Sequence, residues 1–237
     1  MLKISHLTKR YGEKTAVDDL SLTIAAGEIC GFIGHNGAGK TTTLKACLGL
    51  IDTDEGEITI DGMSVKENPL ECRRITAYLP DNPDLYDFLT GYEYLNFAAD
   101  VYGVSAEDRK ERMAHYGEML DITDAYALPI SSCSHGMRQK IALISALIHK
   151  PKLIIMDEPF VGLDPTAAHR LKSLMKEHCE AGGAIFFSTH VLEVAEKLCH
   201  RIALIKGGRL ITSGTMEEVR GNASLEEVFL ELSDTAE

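Results

Sequence analysis

Gly34-His35-Asn36-Gly37-Ala38-Gly39-Lys40-Thr41-Thr42 is the stretch on which the reading of this chain turns. It fits the phosphate-binding loop pattern G-x-x-x-x-G-K-[ST] at Gly34, Gly39, Lys40 and Thr41. The apolar run Ile29–Ile33 leads into it, and a helix-like segment, Thr42–Leu50, follows. Glycines let the backbone wrap tightly, so that successive N–H groups along His35, Asn36, Gly37 and Ala38 can turn toward phosphate oxygens. A helix starting near Lys40 adds its positive end at the same spot, within reach of Thr42. Lys40 is expected to contact the β- and γ-phosphates of a nucleotide, and the Thr41 hydroxyl to ligate Mg²⁺. A glycine-rich turn with a surface lysine is the plain alternative, and the flanking strand and helix patterns argue against it.

The rest of the chain extends this pattern. Ile29–Ile33, Leu153–Met156, Ala184–Ser188 and Arg201–Ile205 read as strands. Most are short, near-continuous apolar runs, as expected of central parallel strands covered on both faces. Leu2–Thr8, Leu20–Ile24 and Glu57–Ile60 alternate instead, which predicts an antiparallel sheet beside the parallel one. Asp61-Gly62 and Lys206-Gly207-Gly208-Arg209 read as hairpin turns. Residues 82–149 read as mostly helix, with capping-box patterns at Thr90–Glu93 and, later, at Ser224–Glu227. Pro129 is expected to break that helical stretch. The expectation is an α/β phosphate-loop fold in one domain, 1–237, with an antiparallel β subdomain and a helical lobe inserted at about 82–149.

Composition narrows the function classes. The 237 residues carry a net charge of −12, which argues against a protein built to grip DNA or RNA by its phosphates. No apolar stretch approaches bilayer-spanning length and no signal peptide opens the chain. The six cysteines are scattered with no C-x-x-C pair, so reduced, mostly buried thiols in a cytosolic protein are expected.

Leu153-Ile154-Ile155-Met156-Asp157-Glu158 is an apolar strand ending in carboxylates. Asp157 is expected to hold Mg²⁺ through a water, and Glu158 to accept a proton from the water that attacks the γ-phosphate. His190 follows the strand Ile185–Ser188 at the same end of the predicted sheet. There it could stabilise charge in the transition state.

With these residues in order, the chain resembles the ATP-binding subunit of ABC transporters over essentially its whole length. Walker A lies at Gly34–Thr42, a signature-like segment at Cys133–Met137, Walker B at Leu153–Glu158, the D-loop at Gly162-Leu163-Asp164 and the switch histidine at His190. The resemblance implies ATP and Mg²⁺ as ligands, with Lys40, Glu158 and His190 acting in hydrolysis. It implies that Tyr11 stacks on adenine, and that Ser134, Gly136 and Asp164 act across a pair of subunits closed head to tail. The second ATP-binding subunit would be a copy of this chain. The other implied partner is a transmembrane permease, and the chain would sit at the cytoplasmic face of the cell membrane.

Two positions depart from the family's pattern. The usual Leu-Ser-Gly-Gly-Gln signature is Cys133-Ser134-His135-Gly136-Met137 here, which brings a Cβ and an imidazole where glycine is usual. The usual Q-loop glutamine is Asp81, a candidate contact to Mg²⁺ or its water, with Asn82 the alternative if the register moves by one. The aromatics Tyr86, Phe88, Tyr92, Tyr94, Phe97 and Tyr102 concentrate in the helical segment. They form either a local core or a partly exposed groove for a membrane partner's short helix. Within the family, the loop sequence, Tyr78-Leu79-Pro80 and Leu225–Leu230 resemble ATPases of bacterial exporters of drugs, lipids, bacteriocins or polysaccharides. A soluble ABC-type ATPase serving cofactor assembly or another non-transport process is the alternative. A small-molecule kinase fits less well, because the signature, D-loop and histidine occur in order.

Overall fold

The computed structural model describes residues 1–221 and 223–234. Strands β1 (Leu2–Tyr11) and β2 (Lys14–Ile24) precede β3 (Ile29–Ile33), which leads through the glycine-rich loop into helix α1 (Lys40–Cys47). β4 (Glu55–Ile60), β5 (Met63–Ser64), α2 (Pro69–Arg74) and β6 (Thr76–Leu79) follow. Helices α3 (Gly91–Val101), α4 (Ala106–Leu120) and α5 (His135–Leu147) come next, with short 3-10 turns at Thr123–Ala127 and Ile130–Ser132 between the last two. The chain then alternates through β7 (Leu153–Asp157), α6 (Pro165–Glu180), β8 (Ala184–Thr189), α7 (Leu192–Leu198) and β9 (Arg201–Lys206). It continues into β10 (Arg209–Thr215), α8 (Met216–Arg220) and α9 (Leu225–Asp234).

Two sheets result. One is antiparallel, in the order β2-β1-β4-β5; the other runs β10-β9-β3-β8-β7-β6, parallel except for the edge strand β10. The mixture follows from the residue pattern. Every residue of β3, β7 and β8 is buried, whereas β1 and β2 mix buried and exposed positions along their length. Both predicted hairpins form: Ile60 pairs with Met63 across Asp61-Gly62, and Lys206 with Arg209 across Gly207-Gly208. All four turn residues take positive φ, the conformation a two-residue hairpin of this kind demands.

Period-2 alternation sorts the larger sheet into two apolar faces. Cys30, Phe32, Ile155, Phe186 and Ile205 join Leu2, Ile4, Leu20 and Leu44, so this face packs on the antiparallel sheet and α1. Ile29, Ile33, Ile154, Met156 and Phe187 join Leu95 of α3, Met113 of α4, Ile141 of α5 and Leu171 of α6. The helices after Thr90 therefore share a continuous core with the parallel sheet.

The capping boxes at Thr90 and Ser224 both form, each pairing the hydroxyl with a backbone N–H and the glutamate with the cap residue. Pro129 sits between the two 3-10 turns, where the helical stretch is interrupted. The first helix of that stretch begins at Gly91, directly after the predicted cap at Thr90, while Asp81–Leu89 runs without regular structure up to it. All six thiols are free, five of them buried. Sequence patterning does not reveal α2 or β6. Each is too short for its period to register, and β6 is an edge strand paired only with β7.

Candidate nucleotide-binding site

The loop between β3 and α1 is shaped by close approach. A Cβ on Gly34 would lie 2.5 Å from the Ile205 carbonyl oxygen, and one on Gly39, at φ 108°, would lie 2.5 Å from that of Ala16. Only glycine lets the loop settle between β9 and β2. The Ala38 N–H donates to the His35 carbonyl (3.1 Å) and the Ala38 carbonyl accepts from Gly208 N–H (2.9 Å), which fixes the curl. Lys40 is 6% exposed, and its ammonium donates to the Gly34 carbonyl at 2.6 Å and the His35 carbonyl at 3.4 Å. The loop wraps around its own cation.

β7 and β8 bring the acid groups to the same place. Asp157 and Ser188 are paired in register, and the Ser188 hydroxyl donates to Asp157 Oδ1 while accepting the Glu158 N–H at 3.0 Å. Asp157 Oδ2 accepts from the Thr41 hydroxyl at 2.7 Å. Glu158 has φ 48°, a left-handed backbone that costs a non-glycine residue of order 1–2 kcal/mol. That turn aims its carboxylate inward. Oε1 lies 3.4 Å from the Lys40 ammonium and has no hydrogen-bond partner among the described residues, while Oε2 lies 3.0 Å from His190 Nδ1.

Lys40, Thr41, Asp157 and Glu158 border a cleft of about 530 Å³, a volume suited to a small ligand; His190 is not in its lining and meets it through Glu158. Tyr11, His35, Asn36, Gly37, Gly39, Lys40, Thr41, Thr42, Asp81, Asp157 and Glu158 line it, together with Lys14 and Ala16. Gly34 and Ala38 stay buried beneath the loop. Tyr11 is half-exposed at the rim, with the Lys9 ammonium 5.3 Å from its ring centre. The Tyr78 phenol behind the cleft is pushed up to about 12 by burial, with the charges of Asp157 and Asp81 adding to it. Backbone N–H groups, the ammonium groups of Lys40 and Lys14 and a rim aromatic fit a nucleotide triphosphate. The Thr41 hydroxyl and Asp157 carboxylate are hard oxygen donors of the kind Mg²⁺ takes, and Asp81 stands at the same cleft.

Ser134, Gly136 and Asp164 do not line this cleft. Ser134 is the N-cap of α5, its hydroxyl accepting the Met137 N–H at 3.3 Å. Asp164 caps α6 by accepting the Ala167 N–H at 2.8 Å, and that bond, with Lys140 nearby, holds its carboxyl below the usual range. The His135 ring lies against Gly162. Sequence reasoning missed the double role of Ser188 and the lining positions Lys14 and Ala16. Ser188-Thr189-His190 carried a signal for the first, since a hydroxyl ending a buried strand needs a partner. Among the described residues, no helix is long and apolar enough to cross a membrane.

Comparison with known proteins gives a consistent picture. A family profile described as ABC transporter matches residues 17–161. The chain is 34% identical over 238 residues to the ABC-type transporter ATP-binding protein EcsA of Bacillus subtilis (strain 168), covering 98% of this chain and 96% of that protein. It is 35% identical over 219 residues to the linearmycin resistance ATP-binding protein LnrL of the same organism, covering 92% and 70% respectively. A solved ATP-binding subunit of an ABC transporter superposes with a TM-score of 0.94 at 35% identity, covering 98% of this chain and 99% of the other. A dimeric ATP-binding cassette in a post-hydrolysis state, bound to ADP and Pi, superposes with a TM-score of 0.83 at 25% identity, covering 91% and 99%.

Proposed function

Because this chain belongs to the ABC transporter family as an ATP-binding, ATP-hydrolysing subunit, we propose that Lys40, Glu158 and His190 perform the hydrolysis and that the energy drives an exporter. The observation that carries the site reading is the convergence of three separate segments on the carboxylates of Asp157 and Glu158. Lys40 and Thr41 open α1, Asp157 ends β7 with Glu158 next after it, and His190 follows β8.

Each residue has a task that its position suits. Loop amides from His35 to Thr42 and the Lys40 ammonium bind the β- and γ-phosphates, and Tyr11 stacks on the adenine. Thr41 and Asp157 would hold Mg²⁺, with Asp81 at the same cleft to contact it or its water, and the bound ion would supply charge neutralisation at the phosphates. Glu158 takes the proton of the attacking water, and its backbone turn and two basic neighbours keep the carboxylate aimed at one place. His190 orients that carboxylate and faces the charge that develops on the γ-phosphate.

In this reading Ser134, Gly136 and Asp164 serve the ATP of a second copy of the chain, closed head to tail. Their place outside the chain's own cleft, at the capped starts of α5 and α6, supports it, as does the dimeric relative bound to ADP and Pi. The permease partner docks on the aromatics beside and within α3. Phe88 is 83% exposed, and it stacks with Tyr86 at 5.8 Å. Tyr92 and Phe97 are exposed too, so only Tyr94 of this group serves mainly the core. In this reading the chain sits against the inner face of the membrane, and the relative named for linearmycin resistance supports export as the direction.

Glu158→Gln tests the reading. It should bind ATP with Mg²⁺, turn over at least ~100-fold slower, and elute as a dimer from a sizing column. A variant that stays monomeric with ATP, or that hydrolyses at the native rate, overturns it.

A further inference from the structure

Val161 and Gly162 are exposed on the surface yet sit three and four residues from the Glu158 carboxylate. The ends of this segment are held. Phe160 packs edge-on against Phe187 with ring centres 5.9 Å apart, and Asp164 caps α6 and lies 3.8 Å from the Lys140 ammonium of α5. Its middle is Gly162, at φ 79°, and the ring of His135 from the start of α5 lies directly over it. A Cβ there would stand 2.5 Å from His135 Cδ2 and 2.7 Å from Nε2. The Val161 N–H, one residue before Gly162, donates to the Glu158 carbonyl at 3.1 Å. A short chain of contacts thus runs from the His135 ring through Gly162 and Val161 to the backbone of Glu158.

We propose that His135 is a positioning residue for hydrolysis, its ring bracing Val161-Gly162 and thereby the turn that aims Glu158. The residue that departs from the usual signature glycine would then act on its own subunit's carboxylate, as a flat body filling space. Glycine at 162 is what allows the ring to approach the backbone so closely. The proposal rests on Glu158 being the base, since sub-ångström displacement of a reacting group is costly in rate.

The experiment compares steady-state ATP hydrolysis by the full chain and its variants. His135→Ala should lower kcat by about five- to tenfold with KM for ATP changed less than about twofold, because the phosphate loop is untouched. His135→Phe, which keeps a flat ring without the imidazole nitrogens, should recover kcat to within about twofold of native. Gly162→Ala should also be slow, and combining it with His135→Ala should cost clearly less than the product of the two single effects, as contacting residues do. His135 is exposed, so the melting temperatures of the His135 variants should match the native one. A native kcat in His135→Ala, a Phe variant as slow as the Ala variant, or strictly multiplicative effects at 135 and 162 each overturn the proposal. Glu158→Gln is run alongside. Native turnover in that variant removes the base reading itself, whatever the His135 variants show.

Discussion

The Thr41 hydroxyl donates to Asp157 Oδ2 across 2.7 Å, joining the first turn of α1 to the last residue of β7. The two residues lie 116 positions apart in the chain, and the bond sets two hard oxygen donors, the pair proposed to hold Mg²⁺, side by side. Thr41→Ala should therefore weaken ATP binding by about tenfold or more when Mg²⁺ is present and by far less in chelator, while Thr41→Ser should bind as the native chain does. Titration calorimetry with and without Mg²⁺ measures both.

Ser188 is the keystone behind that pair. Its hydroxyl is fully buried, donates to Asp157 and accepts from the Glu158 N–H. Ser188→Ala leaves a buried carboxylate oxygen and a backbone N–H without their partner. The expected cost is about 2 kcal/mol, or a melting temperature lower by about 4–8 °C for a chain of this size. Calorimetric melting tests this, and kcat should fall as well because Asp157 and Glu158 are both released.

His149 predicts a pH effect on stability. Its ring stacks flat on Tyr102 with centres 3.7 Å apart, and its Nε2–H donates to the Thr76 carbonyl at 3.3 Å. Burial, with Arg112 adding to it, pulls the imidazole down to about 4 from an ordinary 6.5, against the opposing pull of the Thr76 carbonyl. The unfolded chain takes up a proton near pH 6.5 and the folded chain does so only near 4. The contribution is thus complete above about pH 6.5 and drains away as pH falls toward 4. Allowing for solvent screening of a half-buried ring, the loss is about 1–2 kcal/mol. His149→Phe keeps the stack and removes the proton, so its urea midpoint should fall less between pH 7 and pH 5. His178 is displaced in the same direction and stays in both proteins, which leaves the difference between their slopes as the readout.

The aromatic surface beside α3 gives a prediction about partners. Phe88 is 83% exposed, so Phe88→Asp should change stability by less than about 0.5 kcal/mol. ATP hydrolysis by the isolated chain should be unaffected. Co-purification with its multi-span membrane partner should drop sharply, and an undiminished yield would separate this surface from docking.

Legibility in the sequence followed the length scale of each signal. The loop from Gly34 to Thr42, the buried runs of β3, β7 and β8 and the Asp61-Gly62 turn declare themselves within a few residues, because local backbone chemistry dictates them. α2 and β6 did not. Six and four residues carry too little periodicity, and β6 is held mainly by β7, whose approach only the folded chain provides. Pro69 at the start of α2 was the one available sign. Among site residues, Lys40, Thr41, Asp157, Glu158 and His190 were legible as types at strand and helix ends. Their mutual distances, the bridging by Ser188 and the seat of His135 on Gly162 were not, since each depends on segments far apart in sequence meeting in space.

The apolar cluster that unites α3 and α5 with the parallel sheet also governs how force can travel. Leu95, Ala99, Ile141 and Ile144 interlock with Met156 and Phe187, and interiors packed to this density yield little under strain. Tyr94, edge-on to Tyr86, packs against this same cluster, so load borne by the exposed aromatic group rests on a core it shares with Met156 of β7 and Phe187 of β8.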